Sequence, residues 1–341
     1  MKKLKWLLAG ALILGLAIPY GYAAEKVTYP ISGLGLQVKT KVKAKKKYVI
    51  ACVVKNSTNP YMVKQLDGLK KAGKDMGFEP IVLAPAKQDS IEEQVRIIED
   101  LLQRGIDALV VHPSDSNGIV PAVEKAVAKN VPVVTIGTPA NSDKPLFRTG
   151  VDYTETGAVV GEWIAGKLKG KGNVIVLEGP PQAQNARERN AGITEALAKY
   201  PGIKILASQP ADFQRLKGMQ VMENLLQKYN KVDAVIAAND ESALGAVMAI
   251  KAAGRGEDGI LVAGFDGNED ASWAIKKGQM AVSYNTDPIS SAYCAAAYLV
   301  QYLNDGSKPP AKFLPYPSAL NKPLITKDNI DSYIAKSAWW K

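Results

Sequence analysis

Histidine is nearly absent from this chain of 341 residues, which holds only His112, and cysteine is almost as scarce, with only Cys52 and Cys294. A single imidazole argues against a His-rich metal centre and gives little support to a Ser–His–Asp triad. Both cysteines lie inside apolar periodic runs, so two buried free thiols are favoured over a disulfide, although export would permit one. No P-loop is present, no G-x-G-x-x-G follows a strand, and no nucleophile–base pair stands out. The expectation is therefore a protein without cofactor or metal, and not an enzyme. Long hydrophobic runs are missing too: the apolar run at 7–18 is too short to span a bilayer comfortably.

That run instead reads as part of a secretory signal. Lys2, Lys3 and Lys5 form its positive start, and Gly21-Tyr22-Ala23 supplies small residues for cleavage, giving a signal peptide over 1–23. The net charge of +10 is concentrated near the start of the chain. Residues 24–47 form a basic extension with seven lysines and one glutamate, and residues 48–341 are left with about +1. A nearly neutral body gives no electrostatic footprint for nucleic acid. The lysine-rich stretch 39–47 reads as a solvated linker, with contact to anionic lipid or a partner as the second reading.

Beyond residue 47 strands and helices alternate. Strands are expected over 48–54, 79–84, 108–112 and 131–136, with helices over 60–76, 90–104 and 119–129 between them. The pattern then restarts, with strands over 173–177, 203–208, 234–238, 260–265 and 280–284 and helices over 185–200, 214–229, 241–253 and 268–277. A last helix is expected over 289–303, then a short strand and a helix beginning near Thr326. Near-continuous apolar strands alternating with helices indicate parallel sheets covered on both faces. The third strands of the two halves, Ile106-Asp107-Ala108-Leu109-Val110-Val111 and Val232-Asp233-Ala234-Val235-Ile236-Ala237, form a weak internal repeat. Trp163 and Trp273 are placed on helices as packing residues; Trp339 and Trp340 receive no role.

In an open parallel sheet, ligands bind outside the carboxyl ends of the strands. The polar turn Lys55-Asn56-Ser57-Thr58-Asn59 follows such a strand end, and Pro60 then opens a helix with Met62, Leu66, Leu69 and Met76 on one face. The turn aims polar groups and Tyr61 at a crevice. Four further motifs sit at strand ends or helix starts: Ala186-Arg187-Glu188-Arg189, Gln209-Pro210-Ala211-Asp212-Phe213, Ala238-Asn239-Asp240-Glu241 and Gly264-Phe265-Asp266-Gly267. In this order they resemble the ribose-type periplasmic sugar-binding proteins, over roughly 48–334.

The resemblance implies two similar Rossmann-like α/β lobes with parallel sheets, a three-segment hinge and a ligand cleft between them. It places the crossings near 151–152, 286–287 and 315–320, so one lobe holds 48–151 plus 287–316 and the other 152–286 plus 317–341. It implies that Asn59 and Tyr61 line the first wall of the cleft, that Arg187, Phe213, Asn239 and Asp266 line the second, and that Thr286 or its neighbour Asn285 lies at the second crossing. The residue types suit a sugar. Aromatic rings cover C–H faces, while planar Asn, Asp and Arg groups bind hydroxyls in fixed pairs. Other readings stand beside these: Arg187 pairing with Glu188, Phe213 as core, and Asn239 shaping a turn with Asp240 as the helix cap.

The chain departs from the family at two positions. Gly137-Thr138 stands where the family carries an adjacent Asp-Arg pair, which points away from simple ribose. Lys55 replaces a small polar residue; it either snorkels to solvent or enters the cleft near Arg187, where two cations facing Asp266 would suit a carboxylate, a phosphate or a modified sugar. His112-Pro113-Ser114-Asp115 reads as a turn after the third strand. The function implied is a monomeric periplasmic solute-binding protein that captures a sugar or sugar-like molecule by hinge closure and delivers it to an ABC importer. A ligand-sensing subunit for a chemoreceptor or sensor kinase is the alternative. The repressors of this fold carry an N-terminal helix-turn-helix where this chain has a signal peptide.

Overall fold

Ile50, Ala51, Cys52 and Val53 are all fully buried, so their strand needs helices on both faces. The computed structural model describes residues 42–309, 312–315 and 324–341 and provides them. The signal peptide and most of the basic extension lie outside the described residues. The first half runs β1 (Val49–Val53), α1 (Pro60–Met76), β2 (Glu79–Leu83), α2 (Ile91–Arg104), β3 (Ala108–Val111), α3 (Val120–Ala128), β4 (Val133–Ile136) and β5 (Phe147–Gly150). The second runs α4 (Tyr153–Lys167), β6 (Lys171–Glu178), α5 (Gln184–Ala198), β7 (Gly202–Pro210), α6 (Arg215–Lys228), β8 (Ala234–Ala237), α7 (Asp240–Ala252), β9 (Leu261–Asp266), α8 (Glu269–Lys276) and β10 (Val282–Asn285). The chain ends with α9 (Pro288–Asp305), β11 (Phe313–Pro315), β12 (Leu324–Thr326) and α10 (Ile330–Lys336).

These elements form two α/β lobes. One sheet has the order β11-β5-β4-β3-β1-β2 and the other β12-β10-β9-β8-β6-β7. Every pairing is parallel except β10 with β12. The chain leaves the first sheet after β5 for α4, which packs on α5, and returns after β10 through α9, which packs on α1. A further passage joins β11 of one sheet to β12 of the other; its residues, 316–323, lie outside those described.

Local chemistry fixes the element that carries the first wall of the cleft. The Asn59 side chain accepts from the Tyr61 N–H, Pro60 starts α1 with its φ already set, and Gly77 ends it at φ 86°. Cys52 and Cys294 are buried free thiols, each pushed up to about 12 by burial. Trp163 is half-buried against the second lobe's core, whereas Trp273 is 38% exposed, so the packing expected of it is only partial.

The sequence pattern marks no bounds for β5 or α4. β5, Phe-Arg-Thr-Gly, has no apolar run, and α4 presents glycine where an amphipathic helix shows leucine. Those glycines are contacts. A Cβ on Gly157 would lie 2.2 Å from the Arg189 carbonyl oxygen, and one on Gly192 would lie 2.0 Å from that of Thr154. The backbones of α4 and α5 therefore touch, and no larger residue fits between them.

Candidate functional site

The carboxyl ends of both sheets face one cleft, and polar groups from both lobes meet across it. Ser116 N–H donates to the Gln182 carbonyl at 3.2 Å, Gln184 N–H to Ser116 Oγ at 3.1 Å, and Thr138 Oγ1 to Asn185 Oδ1 at 2.8 Å. Arg148 reaches Glu188 at 3.7 Å. The lobes are thus in a closed arrangement around a small cavity.

Asn59, Tyr61, Phe213, Asn239, Asp266 and Thr286, which the resemblance places in the cleft, all line this cavity, and Lys55 enters it and does not snorkel to solvent. Asn59 and Asn239 also cap their helices, with Asn239 Oδ1 accepting from Ser242 N–H at 2.9 Å. Asn239, not Asp240, is therefore the cap of α7. Asp240 lies behind it, fully buried, accepting from Ser283 Oγ at 2.7 Å and Asn268 N–H at 2.8 Å. Burial pushes its carboxyl well above the usual range, and the neighbouring Asp266 adds to this.

Three candidate residues, Arg187, Asn285 and Thr138, lie off the cavity lining. Arg187 does not line the cavity: it points to an outer groove and donates to the Pro181 carbonyl at 2.6 Å. Arg189 takes its place, 3% exposed, with its guanidinium 4.3 Å from the Phe265 ring centre and 5.0 Å from that of Tyr153. Two residues along an α-helix is a rotation of about 200°, so the two arginines face opposite ways. Asn285 is buried behind Thr286, and Thr138 reaches the cavity only through Asn185. Met62, His112, Tyr153 and Asn185 complete the lining without having been singled out.

The electrostatics are those of a dry, charged pocket. Lys55 is 2% exposed, its Nζ has no hydrogen-bond partner among the described residues, and it sits 5.5 Å from the Phe213 ring centre. Burial pulls its pKa down to about 8. Asp266 accepts from Thr286 Oγ1 at 3.3 Å, and burial pushes its carboxyl up to about 7 against the pull of Arg189. Gln65 Nε2 donates to Ser291 Oγ, which turns Gln65 Oε1 toward His112 Nδ1 at 2.8 Å. With the Gln65 amide in this orientation His112 donates from Nδ1 and keeps Nε2, which has no partner among the described residues, as an acceptor. Burial, then Lys55, holds the His112 pKa well below its ordinary value, so the ring stays neutral. Asp266 at φ 117° and Phe213 at φ 60° occupy backbone regions costly for non-glycine residues, strain that concentrates at functional sites.

A family model described as periplasmic binding protein domain matches residues 50–308. The chain belongs to the periplasmic binding protein family. Among relatives of this family, the ribose import binding protein of Bacillus subtilis (strain 168) is 39% identical over 244 residues, covering 72% of this chain and 78% of that protein. A periplasmic solute binding protein of an ABC transporter from Actinobacillus succinogenes 130z, solved with bound D-allose, matches with a TM-score of 0.77 at 28% identity. That match covers 84% of this chain and all of the other. The fructose-binding periplasmic domain of a hybrid two-component system matches with a TM-score of 0.76 at 26% identity, covering 84% and 92%.

This periplasmic binding protein also uses its C-terminal segment. Trp339, 2% exposed, donates Nε1–H to the Asp266 carbonyl at 2.9 Å, and its ring meets Tyr61 edge-on with centroids 6.4 Å apart. It backs two cavity residues on opposite lobes. Trp339→Ala removes one hydrogen bond and one aromatic contact, each worth about 1 kcal/mol, and is expected to weaken ligand affinity roughly tenfold by titration calorimetry. Unchanged affinity would show that Trp339 only packs.

Proposed function

We propose that this protein is an exported, monomeric solute-binding protein that closes its two lobes around one sugar-sized molecule and delivers it to an ABC importer. It is a binding protein and not an enzyme. The observation that carries this reading is the small cavity lined from both lobes by Tyr61, Phe213, Asn59, Asn239, Arg189 and Asp266. A ligand touching both walls favours the closed state by its differential affinity. The chain's likeness to ribose import and allose-binding proteins supports a sugar or close derivative. The signal at 1–23 provides the route to the periplasm. One solved neighbour is the fructose-binding periplasmic domain of a hybrid two-component system, and it supports the sensory alternative.

A thermal-shift panel of monosaccharides, polyols, sugar acids and longer saccharides tests this. A ligand at about 100 times its Kd stabilises by about 2.7 kcal/mol, so a true ligand shifts melting by several degrees, and oligosaccharides do not fit. No shift from any monosaccharide-sized compound, or turnover of one, would contradict the reading.

A further inference from the structure

Hydrogen-bond valence limits what the cleft accepts. The carbonyl oxygens of Asn59, Asn185 and Asn239 are each already engaged, by Tyr61 N–H, Thr138 Oγ1 and Ser242 N–H. Asn239 Nδ2 donates to the Phe213 carbonyl at 3.2 Å, whereas Asn59 and Asn185 each offer two amide N–H donors against one remaining carbonyl lone pair. Lys55 brings three N–H donors and Arg189 an Nε–H, none with a partner among the described residues. Against these donors the lining sets His112 Nε2 and the Asp266 carboxylate as acceptors, beside the hydroxyls of Tyr61, Tyr153 and Thr286, which donate or accept. Two cations, Lys55 and Arg189, face one lining acid. Asp89 does not line the cavity; its carboxylate accepts from Asn56 Nδ2 at 2.7 Å and acts on Lys55 through space.

Resting on the reading of this cleft as a sugar site, we propose that the ligand is a monosaccharide-sized polyhydroxy acid whose carboxylate lies between Lys55 and Arg189. A carboxylate is acceptor-only, with about four lone-pair sites for these donors, and its hydroxyls serve His112 and Asp266. One negative charge balances the excess of one cation in the lining. A dianionic phosphate would overcompensate it. Asp89 and Asp266 act on the Lys55 ammonium only through space, so without such a partner its N–H donors stay unsatisfied in a buried site, which is costly.

The test is titration calorimetry of the mature protein with matched probes sharing one carbon skeleton: a neutral aldose, its aldonate or uronate, and its phosphate ester. The acid is expected to bind roughly 10- to 100-fold more tightly than the aldose, the ratio for losing a hydrogen bond to a charged group. Lys55→Met, checked for an intact melting transition, collapses that ratio. Affinity of the unaltered protein for the acid falls as pH rises through about 8, where Lys55 loses its proton, and the Met variant lacks that part of the fall. Of the groups facing Lys55, which are Asp89, Arg189, Asp266 and His112, Asp266, its carboxyl pushed up to about 7, titrates just below this range, so the part due to Lys55 is read as the difference between the two proteins. Equal or tighter binding of the neutral aldose, or binding of the phosphate alone, overturns the carboxylate and leaves the sugar site standing. Binding of none of the three overturns both.

Discussion

Arg189→Ala is expected to lower ligand affinity by at least about a hundredfold, the largest loss from any single side chain in the cleft. The guanidinium is stacked between Tyr153 and Phe265, donates to the Ala238 carbonyl and faces Asp266. Removing one member of a buried charged pair costs roughly 3–5 kcal/mol because the other is left uncompensated, and about 1.4 kcal/mol is tenfold in affinity. Arg189→Lys recovers little, since an ammonium neither stacks as a plane nor donates as a fork. Arg187→Ala is the control. Its side chain lies outside the cavity, and affinity stays within about twofold, the scale of a surface substitution. Calorimetric titration of the three variants decides the matter: a larger loss from Arg187→Ala would restore the assignment made from the motif.

The second large effect is on stability. Gly192→Ala drives a methyl group into the Thr154 carbonyl, and Gly157→Ala does the same at the Arg189 carbonyl. Backbone cannot swing aside as a side chain does, so α4 and α5 must separate. The expected cost is about 3 kcal/mol, the upper end for overpacking, read as a melting temperature lower by several degrees. Ligand affinity falls with it in Gly157→Ala, because that contact is against Arg189 itself. Gly166→Ala, on the same helix but with open space around its Cα, gains up to about 1 kcal/mol instead. If all three variants melted together, the helix crossing would not be the constraint described.

The two arginines also show how far the sequence could be read. Strand ends were legible because buried parallel strands are apolar throughout, and the polar residues that follow them stand out; the family resemblance then gave Asn59, Phe213, Asn239, Asp266 and Thr286 their places in the cleft. The same rule applied to β3 selects His112, which was instead read as a turn. Arg187 and Arg189 share one motif, and only helix phase separates them. The phase was available: Ala186, Arg189, Ile193 and Ala196 recur at helical spacing and are buried together on α5. Tyr153 was missed because the glycines of α4 hide its helix, and Trp339 because its partners, Asp266 and Tyr61, are remote in sequence. Lys55 stood between two readings, and burial of its head group decides for the cleft.

Closure on a ligand is the centre of this account, and small-angle X-ray scattering of the mature protein measures it directly. With a compound from the thermal-shift panel, the radius of gyration is expected to fall and to level off at one molecule per chain, as Asn59 and Tyr61 on one lobe and Arg189 and Asp266 on the other come to share it. Superimposable scattering curves with and without a bound ligand would contradict the account, leaving a rigid cleft where a hinge is required.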